Sequence, residues 1–121
     1  MALIVRVSDR LDEIIHVRTR LAIVTLLSQV DYAEFSFLRD HLRVTDGNLS
    51  SHLRVLEQAG YTEVTKEFVG RKPKTTYCLT ARGRAAFDAY LTTLQDVIRY
   101  AQRPQLAPQT NGFPETGTGP T

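Results

Sequence analysis

Apolar residues along this chain change their spacing several times, and each change marks an element. Ser8 or Asp9 can cap a helix in which Leu11, Ile14 and Ile15 share one face, with Val7 extending that stripe backward. From Arg18 to Val30, the residues Leu21, Ile23, Val24, Leu26, Leu27 and Val30 form an apolar surface broad enough to predict the central core helix. Ala33-Glu34-Phe35 reads as a short extended link, and Ser36 as the cap of a third helix holding Phe37, Leu38 and Leu42. After a tight Arg43-Val44 connection, Thr45 can cap a fourth helix that runs to Ala59, where Gly60 supplies a left-handed stop. Tyr61 to Phe68 alternates as a strand does, Val69 to Lys74 is a Gly, Pro and basic loop, and Thr75 to Thr80 is a second strand. Thr80 can cap a last helix, Ala81 to about Gln102, in which Phe87, Leu91, Leu94, Ile98 and Ala101 recur at four, three, four, three. The expected fold class is therefore mainly α with a small β-hairpin, built around a helix-turn-helix.

Composition sharpens this picture at two places. From Arg103 onward Pro, Gln, Gly, Thr and Asn dominate, with too few apolar groups to offset the entropy of ordering, so residues 1–102 are expected to form one domain and 103–121 a disordered tail. The net charge of +2 is unevenly spread: residues 39 to 84 carry nine Lys or Arg against five acids, while the flanking parts are each slightly acidic. An anionic partner would be met in the middle of the chain. Cys78 is the single cysteine, which leaves no intrachain disulfide and no thiolate metal set. The apolar opening Met1 to Val5 is too short for a signal peptide, and no stretch approaches the ~20 apolar residues of a membrane span, so a cytoplasmic, membrane-free setting is expected.

Three constellations bear on chemistry. At about 100° per residue, Leu49, Leu53 and Leu56 of the fourth helix fall in one stripe that must face the core. The opposite side then presents Gly47, Ser51, Arg54 and Gln58, flanked by Asn48, Ser50 and Val55. A solvated helix face ordinarily carries long Glu and Lys, whereas Gly, Ser and Asn are poor helix formers there. They suit a major groove: short side chains allow close approach, Asn and Ser reach base edges or phosphates, and Arg pairs bidentately with guanine. The second constellation is the hairpin tip Gly70-Arg71-Lys72-Pro73-Lys74, whose cations can straddle a backbone and reach toward a minor groove. The third is the seam on the last helix, with Tyr90 and Val97 beside it, which together with Val7, Leu11 and Ile14 exceeds the needs of a small core and predicts a homodimer. His16, His41 and His52 have no metal-ligand neighbours at useful spacing, and no nucleophile, base and orienting group cluster, so neither a metal, a cofactor nor an enzyme is expected.

The segments TDGNLSSHLRVLEQAGY, GRKPKTTYCLT and LTARGRAAF, in that order, resemble the recognition helix, wing and final-helix start of winged helix-turn-helix transcriptional regulators of the MarR and ArsR type. The resemblance spans about residues 9 to 100 and implies the order helix, helix, strand, helix, helix, strand, wing, strand, helix, with the terminal helices making the dimer. It implies DNA contacts by Thr45, Asp46, Gly47, Asn48, Ser50, Ser51 and Arg54 in the major groove, and by Arg71, Lys72 and Lys74 of the wing on the flanking backbone. Together with the seam and the first-helix stripe, this gives an expected dimer interface of Leu11, Ile14, Phe87, Tyr90, Leu91, Leu94 and Ile98. Two recognition helices would read an inverted-repeat double-stranded operator with half-sites roughly 34 Å apart. Metal-sensing members carry a cysteine pair on the third helix, and Phe37 to Arg43 has none, which disfavours thiolate sensing. Glycine often stands in the helix-turn-helix connection where this chain has Arg43, so strain or an added phosphate contact is expected there. The pattern is compatible with an unidentified small-molecule effector between the terminal helices and the DNA-binding lobe. The competing class is a winged helix that docks proteins without binding DNA.

Overall fold

A computed structural model describes residues 2–104. Its elements are α1 (Ala2–Asp9), α2 (Arg18–Leu27), β1 (Ala33–Glu34), α3 (Phe35–Leu42), α4 (Asp46–Gln58), β2 (Thr62–Val69), β3 (Lys72–Leu79) and α5 (Ala81–Ala101). The expected tail lies, from residue 105 on, outside the described residues.

The order is the expected one, but the first helix is displaced. α1 ends at Asp9, and the stretch that should have been helical, Leu11 to Ile15, is a turn. The cause is Asp12: its Oδ1 accepts from the amides of Ile14 at 2.7 Å and Ile15 at 3.2 Å, a local side-chain closure that replaces helical bonding. Ile15 is nevertheless buried, delivered to the core by the turn. α2 stops short of Val30, where the Ser28 amide and hydroxyl fold back on the carbonyls of Val24 and Thr25. Ser36 does not cap α3; the helix already starts at Phe35, with extended Glu34 before it and no side-chain cap.

The sheet is antiparallel in the order β1-β3-β2. The hairpin is tighter than expected: Val69 pairs with Lys72, so the strands run through the basic segment and only Gly70 and Arg71 turn. Gly70 takes φ +67, the left-handed first position that a two-residue hairpin turn of this kind requires. Pro73 stands opposite Phe68, a position where its missing N–H faces away from β2, and β1 reaches only Thr76 and Tyr77 of the same strand.

The core gathers Ile15, Ile23, Val24, Leu27, Leu38, Leu49, Leu53, Leu56, Phe87 and Tyr90, so every helix from α2 to α5 contributes. α5 packs back along α1, and Arg10 of the following turn reaches Asp96 at 3.1 Å, where Arg99 also bonds it at 2.6 Å. Arg99 and then Arg10 hold that carboxyl below its ordinary range.

Candidate nucleic-acid interface

α4 forms as the leucine spacing demands. Leu49, Leu53 and Leu56 are all buried, and Asp46, Gly47, Asn48, Ser51, Arg54 and Gln58 are all exposed, with Ser50 and Val55 half-buried at the margins. Thr45 Oγ1 accepts from the Asn48 amide at 3.1 Å, a cap that leaves the remaining free N–H groups of the first turn open to an anion. Of the two exposed carboxylates of α4, Asp46 stands at the helix start and Glu57 near its end. Arg39 of α3 donates to Asp46 at 3.1 Å and to Asp40 at 3.0 Å, which offsets the charge that would otherwise repel a phosphate.

Two supports behind α4 could not be read from spacing. Arg20 of α2 donates through Nε to the Ile14 carbonyl at 2.6 Å and through Nη1 to His52 Nδ1 at 3.2 Å. An arginine has only donors, so that ring nitrogen accepts and the imidazole is neutral. Burial first, and the guanidinium second, hold His52 below the usual histidine range. The second support lies at the end of α4, where Gly60 takes φ +81 as the expected stop. Thr80 donates its hydroxyl to the Gly60 carbonyl at 2.6 Å, donates its amide to the Tyr61 carbonyl at 3.0 Å, and caps α5 by accepting from Gly83 at 2.9 Å. A Cβ on Gly83 would come within 2.1 Å of the Tyr61 carbonyl oxygen, so only glycine lets the two segments close. The Tyr61 hydroxyl donates to Asp12 Oδ2 at 2.5 Å, with Arg82 6.0 Å from the ring centre. Burial first, and the bond to Asp12 second, push the phenol up to about 12. The turn after α1, the end of α4 and the start of α5 thus meet at one node.

The connection between α3 and α4 carries the strain that its sequence implied. Arg43 adopts φ 55 and ψ 49, the left-handed region, and is the one non-glycine residue with positive φ among the described residues. A side chain there costs about 1 kcal/mol or more over glycine. Arg43 is exposed, two residues before Thr45, the cap of α4.

Register divides the wing into two faces, because cross-strand partners share a side. Thr62 with Leu79 and Val64 with Tyr77 lie on the side packed against the helices, where Tyr77 meets the ring of Phe35. Lys66 with Thr75 and Phe68 with Pro73 continue that side outward. The other side holds Glu63 with Cys78, Thr65 with Thr76, Glu67 with Lys74, and Val69 with Lys72. Of the three expected wing cations, Arg71 is at the turn, and Lys72 and Lys74 root on the outer side. Lys74 is half-buried there, opposite Glu67 and 5.8 Å from the centre of the Tyr32 ring. Lys66, not singled out from sequence, is the cation rooted on the inner side.

The terminal helices correct part of the expected dimer surface. Phe87 and Tyr90 are buried inside the protomer, and the Tyr90 hydroxyl bonds His16 Nδ1 at 2.7 Å. They have little surface left to offer a partner, because both lie in the protomer's own core with Ile15, and Leu11 and Ile14 of the turn after α1 pack against it. Leu11, Ile14 and Leu94 pack partly on the same core. Leu91 and Ile98 stay exposed at 39% and 53%, joined by Val5 of α1 at 54%. No helix of the described residues is long and apolar enough to cross a membrane.

Comparison with known proteins agrees with this arrangement. Residues 19–98 match the winged helix DNA-binding domain family. An uncharacterized protein of Methanocaldococcus jannaschii is 40% identical over 72 residues, covering 60% of this chain and 78% of that protein. Among solved structures, a transcriptional regulator homologue from Pyrococcus horikoshii superposes with a TM-score of 0.74 at 29% identity, over 85% of this chain and all of the other. A regulator of the MarR family from Enterococcus faecalis gives 0.64 at 26% identity, over 74% and 80% of the two chains. The chain therefore belongs to the winged helix DNA-binding domain family and has the fold of MarR-type transcriptional regulators.

Proposed function

We propose that this protein is a homodimeric transcriptional regulator that binds an inverted-repeat operator in double-stranded DNA, with α4 in the major groove and the wing on the flanking backbone. The observation that carries the reading is the exposed face of α4: small and hydrogen-bonding residues, one arginine, an open capped N-terminus, and the nearest carboxylate offset by Arg39. In this reading Asn48, Ser50, Ser51 and Arg54 meet base edges, with Gly47 giving the close approach. Thr45, Asp46 and the strained Arg43 stand at the phosphates beside the helix start, and Arg71, Lys72 and Lys74 supply the wing's charge. The protomers associate through the exposed stripe of Leu91 and Ile98 with Val5, supported from beneath by Leu94, Leu11 and Ile14. The setting is the cytoplasm.

The test is fluorescence anisotropy of a random duplex and of the gene's own upstream region, titrated at several salt concentrations, beside sedimentation for mass. Binding by a dimer that is salt-dependent and tighter on the upstream duplex is expected. Arg54→Ala should cost about 1 to 3 kcal/mol on the specific site, whereas neutralising Lys72 should weaken all duplexes and flatten the salt slope. Failure to bind any duplex at low salt would overturn the reading and leave a protein-docking winged helix in its place.

A further inference from the structure

Among the described residues, the most exposed large apolar side chain is on the wing. Phe68 is 73% exposed, one residue before the turn, and its cross-strand partner is Pro73, whose ring restricts the strand beneath it. An exposed phenylalanine at the end of a ribbon invites association and is usually avoided. Its surroundings here are ordered by charge. On β2, Glu63 and Glu67 both lie on the outer side of the ribbon, so the inner side runs Val64, Lys66, Phe68 with no acid. Arg71 crowns the turn. This inner side faces the lobe that holds α3 and α4, and between the ribbon and the start of α3 it borders an open recess of about 370 Å³, with Glu34 at the helix end.

An apolar tip between cations, on the same side as the base-reading helix, fits a surface that is anionic at its rims and apolar at its floor. The minor groove has that chemistry: phosphates on each wall, and deoxyribose and base edges between them. A protein partner would be expected to cover Val69 as well, yet Val69 points to the opposite side beside Lys72. We propose that Phe68 is a DNA-contacting and specificity-determining residue, entering the minor groove beside the half-site as an apolar wedge, with Lys66 and Arg71 holding the two phosphate rims. The inference rests on the DNA-binding reading above and extends it from charge to shape: the wing reads how easily the flanking steps open, favouring flexible pyrimidine–purine steps.

The experiment compares the full-length protein with Phe68→Ala and Phe68→Leu on duplexes whose flanks carry TpA or ApA steps. It measures affinity against salt, DNA bending by end-to-end energy transfer, and mass by sedimentation. Phe68→Ala should weaken binding to the TpA-flanked duplex about tenfold, lose the preference over ApA and reduce the bend, with the salt slope unchanged because no phosphate contact is removed. Phe68→Leu should keep most of the preference. Equal affinity, preference and bend for wild type and Phe68→Ala would overturn the inference while leaving DNA binding intact. A fall in salt slope would also overturn it, since Phe68 would then be supporting the cations, as would a loss of dimer mass, which would make the tip a self-association surface. A wild-type protein that binds no duplex overturns the DNA-binding reading first, and this one with it.

Discussion

α4 and the wing leave the same point of the chain, Gly60 and Tyr61, and are held in opposite ways. α4 is fixed along its whole length by three buried leucines, at its start by Thr45, at its middle by Arg20 on His52, and at its end by the Tyr61–Thr80–Gly83 node. The outer half of the wing has its ladder to hold it and little else, with Phe68 and Val69 open to solvent. A reader of base edges must be placed to within a fraction of an ångström, while an arm that follows the backbone must adjust to local groove shape. Under the proposed function the difference in packing matches a difference in task, and substitutions should separate accordingly.

The largest effect expected is from Leu53→Ala, which empties a fully buried site and should cost about 2 to 5 kcal/mol in urea unfolding, whereas Phe68→Ala should leave the midpoint in place. Equal losses would mean that the wing is packed in solution by something beyond the protomer. Gly83→Ala comes next, at about 1 to 3 kcal/mol, because the added methyl meets a backbone carbonyl that cannot step aside. Its signature beyond stability is a weakened duplex affinity in the folded fraction, since the end of α4 must shift. Tyr61→Phe removes a bond to a carboxylate and should cost about 1 to 2 kcal/mol at neutral pH. A raised phenol stabilises the fold wherever it stays protonated, so the wild type's advantage over this variant is full below pH 10 and fades as pH climbs toward about 12, which alkaline melts would follow. The smallest effect has the opposite sign. Arg43→Gly should stabilise by about 0.5 to 1 kcal/mol through relief of a left-handed backbone, and should weaken DNA binding nonspecifically, by roughly one phosphate contact in the salt slope. If stability rises and binding is untouched, the strain at Arg43 has no part in recognition.

The contrast also explains what was legible in the sequence. α4 was, because three leucines at helical spacing, a Thr cap and a Gly stop all specify the same element, and the structure returns it almost to the residue. α5 was legible for the same reason, through Thr80 and its apolar repeat. The first helix was misplaced because Leu11, Ile14 and Ile15 have helical spacing, yet Asp12 among them bonds two successive amides and makes a turn instead. Periodicity reports which residues are buried, and a turn can bury them as well as a helix. The wing was under-read in another way. Gly70, Pro73 and the basic residues signalled a loop, but a two-residue turn lets Lys72, Pro73 and Lys74 join the strand, and only register then reveals that Lys66 and Phe68 share the inner side. The seam on α5 was legible as apolar but not as to depth: Phe87 and Tyr90 are buried within the protomer, while Leu91 and Ile98 stay exposed. Arg20 and the Tyr61–Asp12 bond left no trace in spacing because each acts across elements distant in the chain, and Arg39 because its reach to Asp46 depends on the turn between α3 and α4.

The node at Gly60, Thr80 and Gly83 has a geometric consequence for a dimer. In the proposed dimer, the bonds that tie the end of α4 to the first turn of α5 would make the two α4 helices behave like the jaws of a caliper whose opening is set by the contact between the protomers. Which bases are read would then be decided by a few exposed residues of α4, and how far apart the half-sites lie by residues some forty positions later on α5. The letters of an operator and its spacing could drift independently, each through substitutions that leave the other untouched.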